Sequence, residues 1–407
     1  MTFTVFLVLF LFVLLGIPLL LVVGLFRKGR KEPAFKLMIV VITATIMWLI
    51  VEGFSYYESK SGNVLNPSYT WADQVTSTKE SNLPYLHNPN MNWEGLSHGD
   101  LAVLNADADP YARKVQFKTD SDGFRNHTEI KQAELVVLGD SFTEAGNVNE
   151  EETYSFLLRK FLGVNVKNLG VSGYSTPDEL VVFTEFGLPA RPKTVILQVA
   201  ESNDIIENIK YYNWVKGGKP PREISKVELK TKDGWKLASP TFRLYQKLFP
   251  LRLNEWSLQG IFQDASGRNW ITRFSQLPQR IAITKNEITG WNVMKGSILR
   301  FQEICKQNGI RLVVMVIPDK VNVLGPLVSS KTEHLNRLKL IPEELTLAYL
   351  LKDYCAQLGV GFVDLQPELT KAAKQGKLVY LPMDTHLSPD GHEVVAESLA
   401  AYLTTPQ

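Results

Sequence analysis

The stretch ELVVLGDSFTEAG, Glu134 to Gly146, carries a short apolar run into a Gly-Asp-Ser turn and then into a polar segment. An unbroken apolar run closed by a glycine reads as a strand buried on both faces. Similar runs follow at VNVKNLG (Val164–Gly170), KTVILQVA (Lys193–Ala200), RLVVMVIP (Arg311–Pro318) and VGFVDL (Val360–Leu365). Helical patterns separate them: Glu151–Leu162, Pro177–Gly187, Gly290–Asn308 and Pro342–Leu358. A terminal helix has Ser388 as N-cap and Pro389 at its first position. Strands alternating with helices predict an α/β fold, a three-layer sandwich with a mostly parallel central sheet covered on both faces. The C-terminal ends of such strands hold the ligand crevice. Ser141 stands at one of them. Alone, it reads either as a nucleophile or as the cap of the next helix, because serine is a preferred cap.

The rest of the composition narrows the function classes. The chain has 407 residues, 45% hydrophobic and 21% charged, with a formal net charge of +2. That is ordinary globular composition, long enough for one large domain or two average ones. Near-neutral charge without a basic block gives no support to a nucleic-acid partner. Cys305 and Cys355 form neither a disulfide framework nor a metal-finger spacing. Both read as buried small hydrophobes near helix ends, with a disulfide between neighbouring helices as the alternative.

The N-terminus is not globular. Thr2–Phe26 is uncharged and almost wholly apolar, long enough to cross a ~30 Å hydrocarbon core at ~1.5 Å per residue. No basic region precedes it and no clear small-residue cleavage site follows, which favours a span over a cleaved signal. A second apolar run, Leu37 to about Tyr57, carries Glu52 near its end, with Trp48, Tyr56 and Tyr57 suited to an interface. The loop between them, RKGRKEPAFK, holds Arg27, Lys28, Arg30, Lys31 and Lys36. Basic loops stay cytoplasmic, so a transmembrane hairpin would leave the main domain in the periplasm or outside the cell. A second run that is merely buried or interfacial would instead leave that domain in the cytoplasm.

These features predict residues 1–57 as a membrane anchor of one or two transmembrane helices. Residues 58–130, rich in Asn, Pro, Asp and Ser, read as an irregular approach segment. The α/β domain is expected over 131–407, with an insertion at about 205–290. The insertion holds KVELKTKDGWKLAS (Lys226–Ser239), a hairpin pattern with Asp-Gly at its turn. It also holds the aromatic-basic FRLYQKLFPLRLNEW (Phe242–Trp256), which reads as a lid or packed insert, with a membrane-surface helix as the alternative.

Three further segments fall on the same sheet edge as Ser141. NLGVSGYSTPDE (Asn168–Glu179) ends the second strand with glycines that leave backbone N–H groups unobstructed. LQVAESND (Leu197–Asp204) places the amide of Asn203 after the third. In MDTHLSPDGHEVV (Met383–Val395), an extended backbone would point Asp384 and His386 the same way, so that the carboxylate orients the imidazole.

In this order the four segments resemble the blocks of the SGNH hydrolase superfamily, also called GDSL esterases/lipases. The resemblance covers roughly Glu134–Asp204 and Gly290–Leu403. It implies an SGNH/flavodoxin-like sheet and a serine-dependent ester hydrolase. The catalytic set would be Ser141 as nucleophile, His386 as general base and Asp384 as its acid. The oxyanion hole would come from the N–H groups of Ser141 and Gly173 and the amide of Asn203. No cofactor and no metal are expected.

Two positions depart from the family pattern. Glu201 stands where a glycine usually precedes the asparagine by two, and Met383 where the acid usually precedes the histidine by three. The spacing of Asp384 is similar to that in membrane-linked members and in alginate O-acetylation proteins. The implied substrate is an O-acylated small molecule or polysaccharide, such as an envelope polymer. Alternatives are an O-acyltransferase for an exported polysaccharide and a catalytically silent carbohydrate-binding or scaffold subunit. Beyond the membrane, envelope-assembly proteins are the implied partners.

Plainer readings stand beside these. Gly173 could simply make a turn, Asn203 brace its loop, Asp140 brace the Gly-Asp-Ser turn, and His392 belong to the terminal helix. Asp384, His386, Asp390 and His392 could also be read together as metal ligands, although no other His or Cys cluster supports that.

Overall fold

In a computed structural model of the chain, the five apolar runs become five parallel strands: β1 (Leu135–Leu138), β2 (Val166–Asn168), β3 (Thr194–Ala200), β4 (Arg311–Ile317) and β5 (Gly361–Asp364). Their order across the sheet is β5-β4-β3-β1-β2. The structure describes residues 3–61, 75–76, 83–104, 109–217, 239–241, 244–245, 258–275, 285–329 and 346–405.

Alternate residues of each strand point to opposite layers, which is why the runs are apolar throughout. On one face, Val136, Leu138, Val195, Leu197, Val314 and Val316 pack with α2 (Thr176–Val182), α4 (Lys285–Gln307) and α5 (Leu347–Leu358). On the other, Leu135, Val137, Ile196, Val313 and Met315 pack with α1 (Tyr154–Leu162), α6 (Gln366–Lys374) and α7 (Pro389–Thr404). Full burial of each such side chain contributes about 1.5–3 kcal/mol, so the sheet is the rigid floor of the site. The fold is the expected three-layer α/β sandwich. The chain runs from β1 out to β2 and returns to β3 on the other side of β1. This reversal opens the crevice at the C-terminal ends of β1 and β3.

Several local expectations differ in detail. The helix expected from Glu151 is a 3-10 turn, Glu150–Glu152, followed by α1. Ser388 caps α7, its Oγ accepting from the Gly391 N–H at 3.1 Å. Cys305 and Cys355 are free and buried, and burial pushes both thiols up to about 12. Within 58–130, an antiparallel ribbon pairs Asn92–Ser97 with Arg113–Lys118. A charged, half-exposed ribbon of this kind gives little period-two signal in sequence.

The chain divides into two units. The one just described comprises Ser68–Leu101, Tyr111–Lys226 and Leu253–Gln407. From the insertion it takes α3 (Asp204–Lys216) and the ribbon Gln259–Gln263/Asn269–Arg273. The other comprises Met1–Pro67, Ala102–Pro110 and Val227–Arg252. Its two helices contain segments long and apolar enough to cross a membrane, Val5–Arg27 and Lys31–Phe54. They pack through Phe10 against Trp48 (6.1 Å between ring centroids) and Phe26 against Phe35 (5.3 Å).

Part of the insertion joins the helical pair. Tyr245 packs on Phe6, and Trp48 Nε1 donates to Thr241 Oγ1 at 2.9 Å. Glu52 accepts from the Thr241 N–H at 2.9 Å, which gives a carboxylate in an apolar helix a partner. The expected hairpin Lys226–Ser239 lies outside the described residues except for Ser239. Of Phe242–Trp256, only Leu244 and Tyr245 are described.

Candidate active site

Ser141 opens a four-residue helix, Ser141–Glu144, at the end of β1. The cap of that helix is Asp140, not Ser141: Asp140 Oδ1 accepts from the Phe142 N–H at 3.0 Å. The hydroxyl of Ser141 is left to the crevice, where it meets His386 Nε2 at 2.7 Å. On the far side of the ring, Nδ1 donates to Asp384 Oδ1 at 2.6 Å. The structure therefore brings Ser141, His386 and Asp384 into one line.

The route to this geometry is not the extended backbone read from the sequence. Residues 382–386 form turns and bends. Asp384 Oδ1 also accepts from the backbone N–H of His386 at 2.8 Å, an Asx turn that folds the carboxylate onto the following residues. The turn itself is clamped from below. Lys320 is buried, and its Nζ donates to the carbonyls of Leu381 (2.7 Å), Pro382 (2.8 Å) and Asp384 (2.9 Å). Asn147 Nδ2 adds a donor to Asp384 Oδ2 at 3.0 Å. The loop carrying Asn147 is held by the buried Arg125, which donates to the carbonyls of Glu144 (3.0 Å) and Val148 (2.6 Å) and to that of Ala145.

Burial opposes charge on His386, but the Asp384 carboxylate outweighs it and raises the imidazole to about 9. Burial likewise raises Asp384, and the imidazole with its hydrogen bonds more than compensates, leaving that carboxyl below its usual range. The pair is thus strongly coupled in favour of the charged ring. Burial holds the Asp140 carboxyl above its ordinary value.

Asn203 Nδ2 donates to Asp140 Oδ2 at 2.7 Å, and its Oδ1 accepts from Ser202 Oγ at 3.0 Å. The bracing reading of Asn203 is therefore part of its role, and one amide hydrogen remains. Gly173 sits in the exposed turn after β2 at φ +75°, a conformation other residues rarely adopt. Its neighbour Ser172 donates through N and Oγ to the Glu144 carboxylate, each at 2.7 Å, tying this turn to the Ser141 helix. Among the described residues, neither the Ser141 nor the Gly173 N–H has a protein acceptor. Glu201, the departure in the third segment, is occupied elsewhere. Its Oε2 accepts from the Asp319 N–H at 3.2 Å and from Asn322 Nδ2 at 2.7 Å.

The four-ligand metal reading does not survive. His392 is buried against the Tyr154 ring, where its Nδ1 accepts from the Tyr154 N–H at 3.3 Å, and Asp390 is exposed on α7. Among the described residues, the acid and imidazole groups close enough to share an ion are Asp100, Asp384 and His386. Asp384 and His386 are already engaged in the line to Ser141.

Asp100, Asn147 and Lys320 are the residues sequence reading missed. Each lies far in sequence from the segment it serves, and none carries a local signature.

Residues 284–407 match the family model described as the SGNH hydrolase-like domain of the acetyltransferase AlgX. Over 98 residues the chain is 36% identical to a Pseudomonas fluorescens protein named "Probable alginate O-acetylase AlgJ". That match covers 23% of this chain and 22% of the relative, so the chain spans about a fifth of its length. Among solved structures, a catalytic mutant of the acetylxylan esterase Axe2 from Geobacillus stearothermophilus is 12% identical, with a TM-score of 0.36, covering 69% of this chain and 98% of that one. A GDSL-like lipase from Bacteroides thetaiotaomicron is 12% identical, with a TM-score of 0.32, covering 66% and 86%. By its ordered segments and its C-terminal match, the chain resembles the SGNH hydrolase superfamily, and within it the alginate O-acetylation proteins.

Proposed function

We propose that the chain is a serine-dependent acyl-ester enzyme, anchored by its N-terminal helices with the α/β unit outside the cytoplasm, acting on O-acyl groups of a polysaccharide. The observation that carries this reading is the line Asp384–His386–Ser141, with 2.6 Å and 2.7 Å between successive polar atoms. His386 Nε2 takes the Ser141 proton as Oγ attacks the ester carbonyl. The N–H groups of Ser141 and Gly173 and the remaining amide hydrogen of Asn203 receive the oxyanion. Each such donor is typically worth ~10²–10³ in rate. His386 then returns the proton to the leaving alcohol. Water, or a sugar hydroxyl, gives its proton to His386 and takes the acyl group, and His386 passes that proton to the departing Ser141 Oγ.

Hydrolysis is the primary reading, and the partial likeness to an alginate O-acetylase supports the polysaccharide. Purified chain incubated with an aryl acetate separates the two outcomes. Phenol release indifferent to added oligosaccharide means hydrolysis. Release that rises with the oligosaccharide and yields acetylated sugar means transfer. The absence of both phenol release and acetylated sugar would overturn the proposal.

The orientation rests on five basic residues between the two apolar segments, Arg27, Lys28, Arg30, Lys31 and Lys36. A reporter that works only outside the cytoplasm, fused after Gln407, is expected to be active. Activity of a cytoplasm-only reporter at the same position would reverse the assignment.

A further inference from the structure

We propose that Asp100 is a second acid of the Ser141 site, a positioning residue that locks the Asp384–Thr385–His386 turn and holds negative charge beside the imidazole. The proposal rests on the serine-enzyme reading above and deepens it. Asp100 comes from the segment that precedes the α/β alternation, at the start of a short helix, Asp100–Leu104. Its backbone N–H donates to Asp384 Oδ2 at 3.0 Å. Its carboxylate accepts in return from the Thr385 N–H at 2.9 Å and from Thr385 Oγ1 at 2.5 Å. This reciprocal clasp needs a close approach of two backbones. A Cβ on Gly99 would lie 2.0 Å from the Met383 carbonyl oxygen, so only glycine lets Asp100 reach the turn.

The clasp places charge as well as shape. One polar atom from each of Asp100, Asp384 and His386 lies within 4.8 Å of the other two. Asp100 spends its hydrogen bonds on Thr385 and so does not compete with Asp384 for Nδ1. Its remaining effect on the ring is electrostatic. Among the described residues, the other groups around His386 are Asp384, Asp140, the Ser141 and Thr385 hydroxyls, the Asn147 amide and the Phe142 ring, with the Lys320 ammonium behind the turn. Burial and the charge of Asp384 push the Asp100 carboxyl up to about 6, so above that pH it is an anion. An anion at this range favours the imidazolium that forms when Ser141 gives up its proton. His386 and Asp100 titrate as a coupled set.

The sign follows. Proton abstraction needs a neutral ring, so kcat/KM climbs as pH rises toward about 9. Asp100→Asn can keep the geometry, with Oδ1 on the Thr385 N–H and Nδ2 on its hydroxyl, but it removes the charge. The His386 titration is expected to fall by about one pH unit or more, carrying the acid limb of kcat/KM with it.

The test is an ¹⁵N titration of ring-labelled histidine in the detergent-solubilised full chain carrying Ser141→Ala, with and without Asp100→Asn, the signal assigned by its loss in His386→Gln. An unchanged His386 midpoint overturns the proposal. If Asp100→Asn does not fold, the Ser141→Ala curve decides: a second inflection near pH 6, from Asp100, supports the proposal, and a single-site curve overturns it. The readout needs no turnover. If the wild type fails to react with a fluorophosphonate, the enzyme reading fails instead, whatever the midpoint.

Discussion

Replacing Ser141 with alanine is expected to abolish labelling by a fluorophosphonate and to lower turnover of an aryl acetate by roughly 10⁶, the loss seen when the nucleophile of a coupled serine site is removed. The size follows from the arrangement. In the proposed mechanism the Oγ is the atom that bonds to the acyl group, and among the described residues it is the hydroxyl hydrogen-bonded to His386 Nε2, at 2.7 Å. The rest of the site is held without it. Asp140 caps the short helix, Lys320 fixes the turn, and Asp384 keeps the ring. The variant is therefore expected to fold, losing at most about 1 kcal/mol for one hydrogen bond. Gel fluorescence after labelling, with circular dichroism to confirm the fold, measures both. Equal behaviour of wild type and variant, labelled or not, would remove Ser141 from the chemistry and favour a scaffold.

The sheet was readable because its signal is local. Leu135–Leu138 and Leu312–Ile317 are unbroken apolar runs since both faces are buried, and no tertiary knowledge is needed to see that. The four site segments were readable for a related reason: the ends of parallel strands share one edge. What was hidden depends on closure in three dimensions. Asp100 and Asp384 are 284 residues apart and meet only through a glycine that lets two backbones touch. Lys320 looks like the first residue of an ordinary helix until its ammonium is seen under three carbonyls. Spacing also misled on mechanism. Asp384 and His386 are two apart, but an Asx turn rather than strand alternation unites them. Glu201 stands where the family pattern has a glycine, and only the structure shows that its carboxylate is spent on Asp319 and Asn322.

Asp384→Asn tests whether that turn is chemistry or only architecture, and it is expected to cost about 10³–10⁴ in kcat/KM. Asp384 accepts from four donors: His386 N and Nδ1 on Oδ1, and the Asp100 N–H and Asn147 Nδ2 on Oδ2. An asparagine has one oxygen to offer. If it faces His386, its NH₂ opposes two donors, and each buried donor left unmade costs about 1–3 kcal/mol of stability. If it faces Asp100 and Asn147, the NH₂ meets Nδ1, which must then act as acceptor. The ring proton moves to Nε2, pointing at Ser141 Oγ, and the base is lost. Either way the imidazolium loses the carboxylate in direct contact with it, so the His386 midpoint falls from about 9. Stability that the native charged pair supplies below pH 9 falls with it. Rate against pH, melting temperature and ring ¹⁵N shifts together separate the two faces of the asparagine. A rate within tenfold of wild type, in a folded variant, would confine Asp384 to holding the turn.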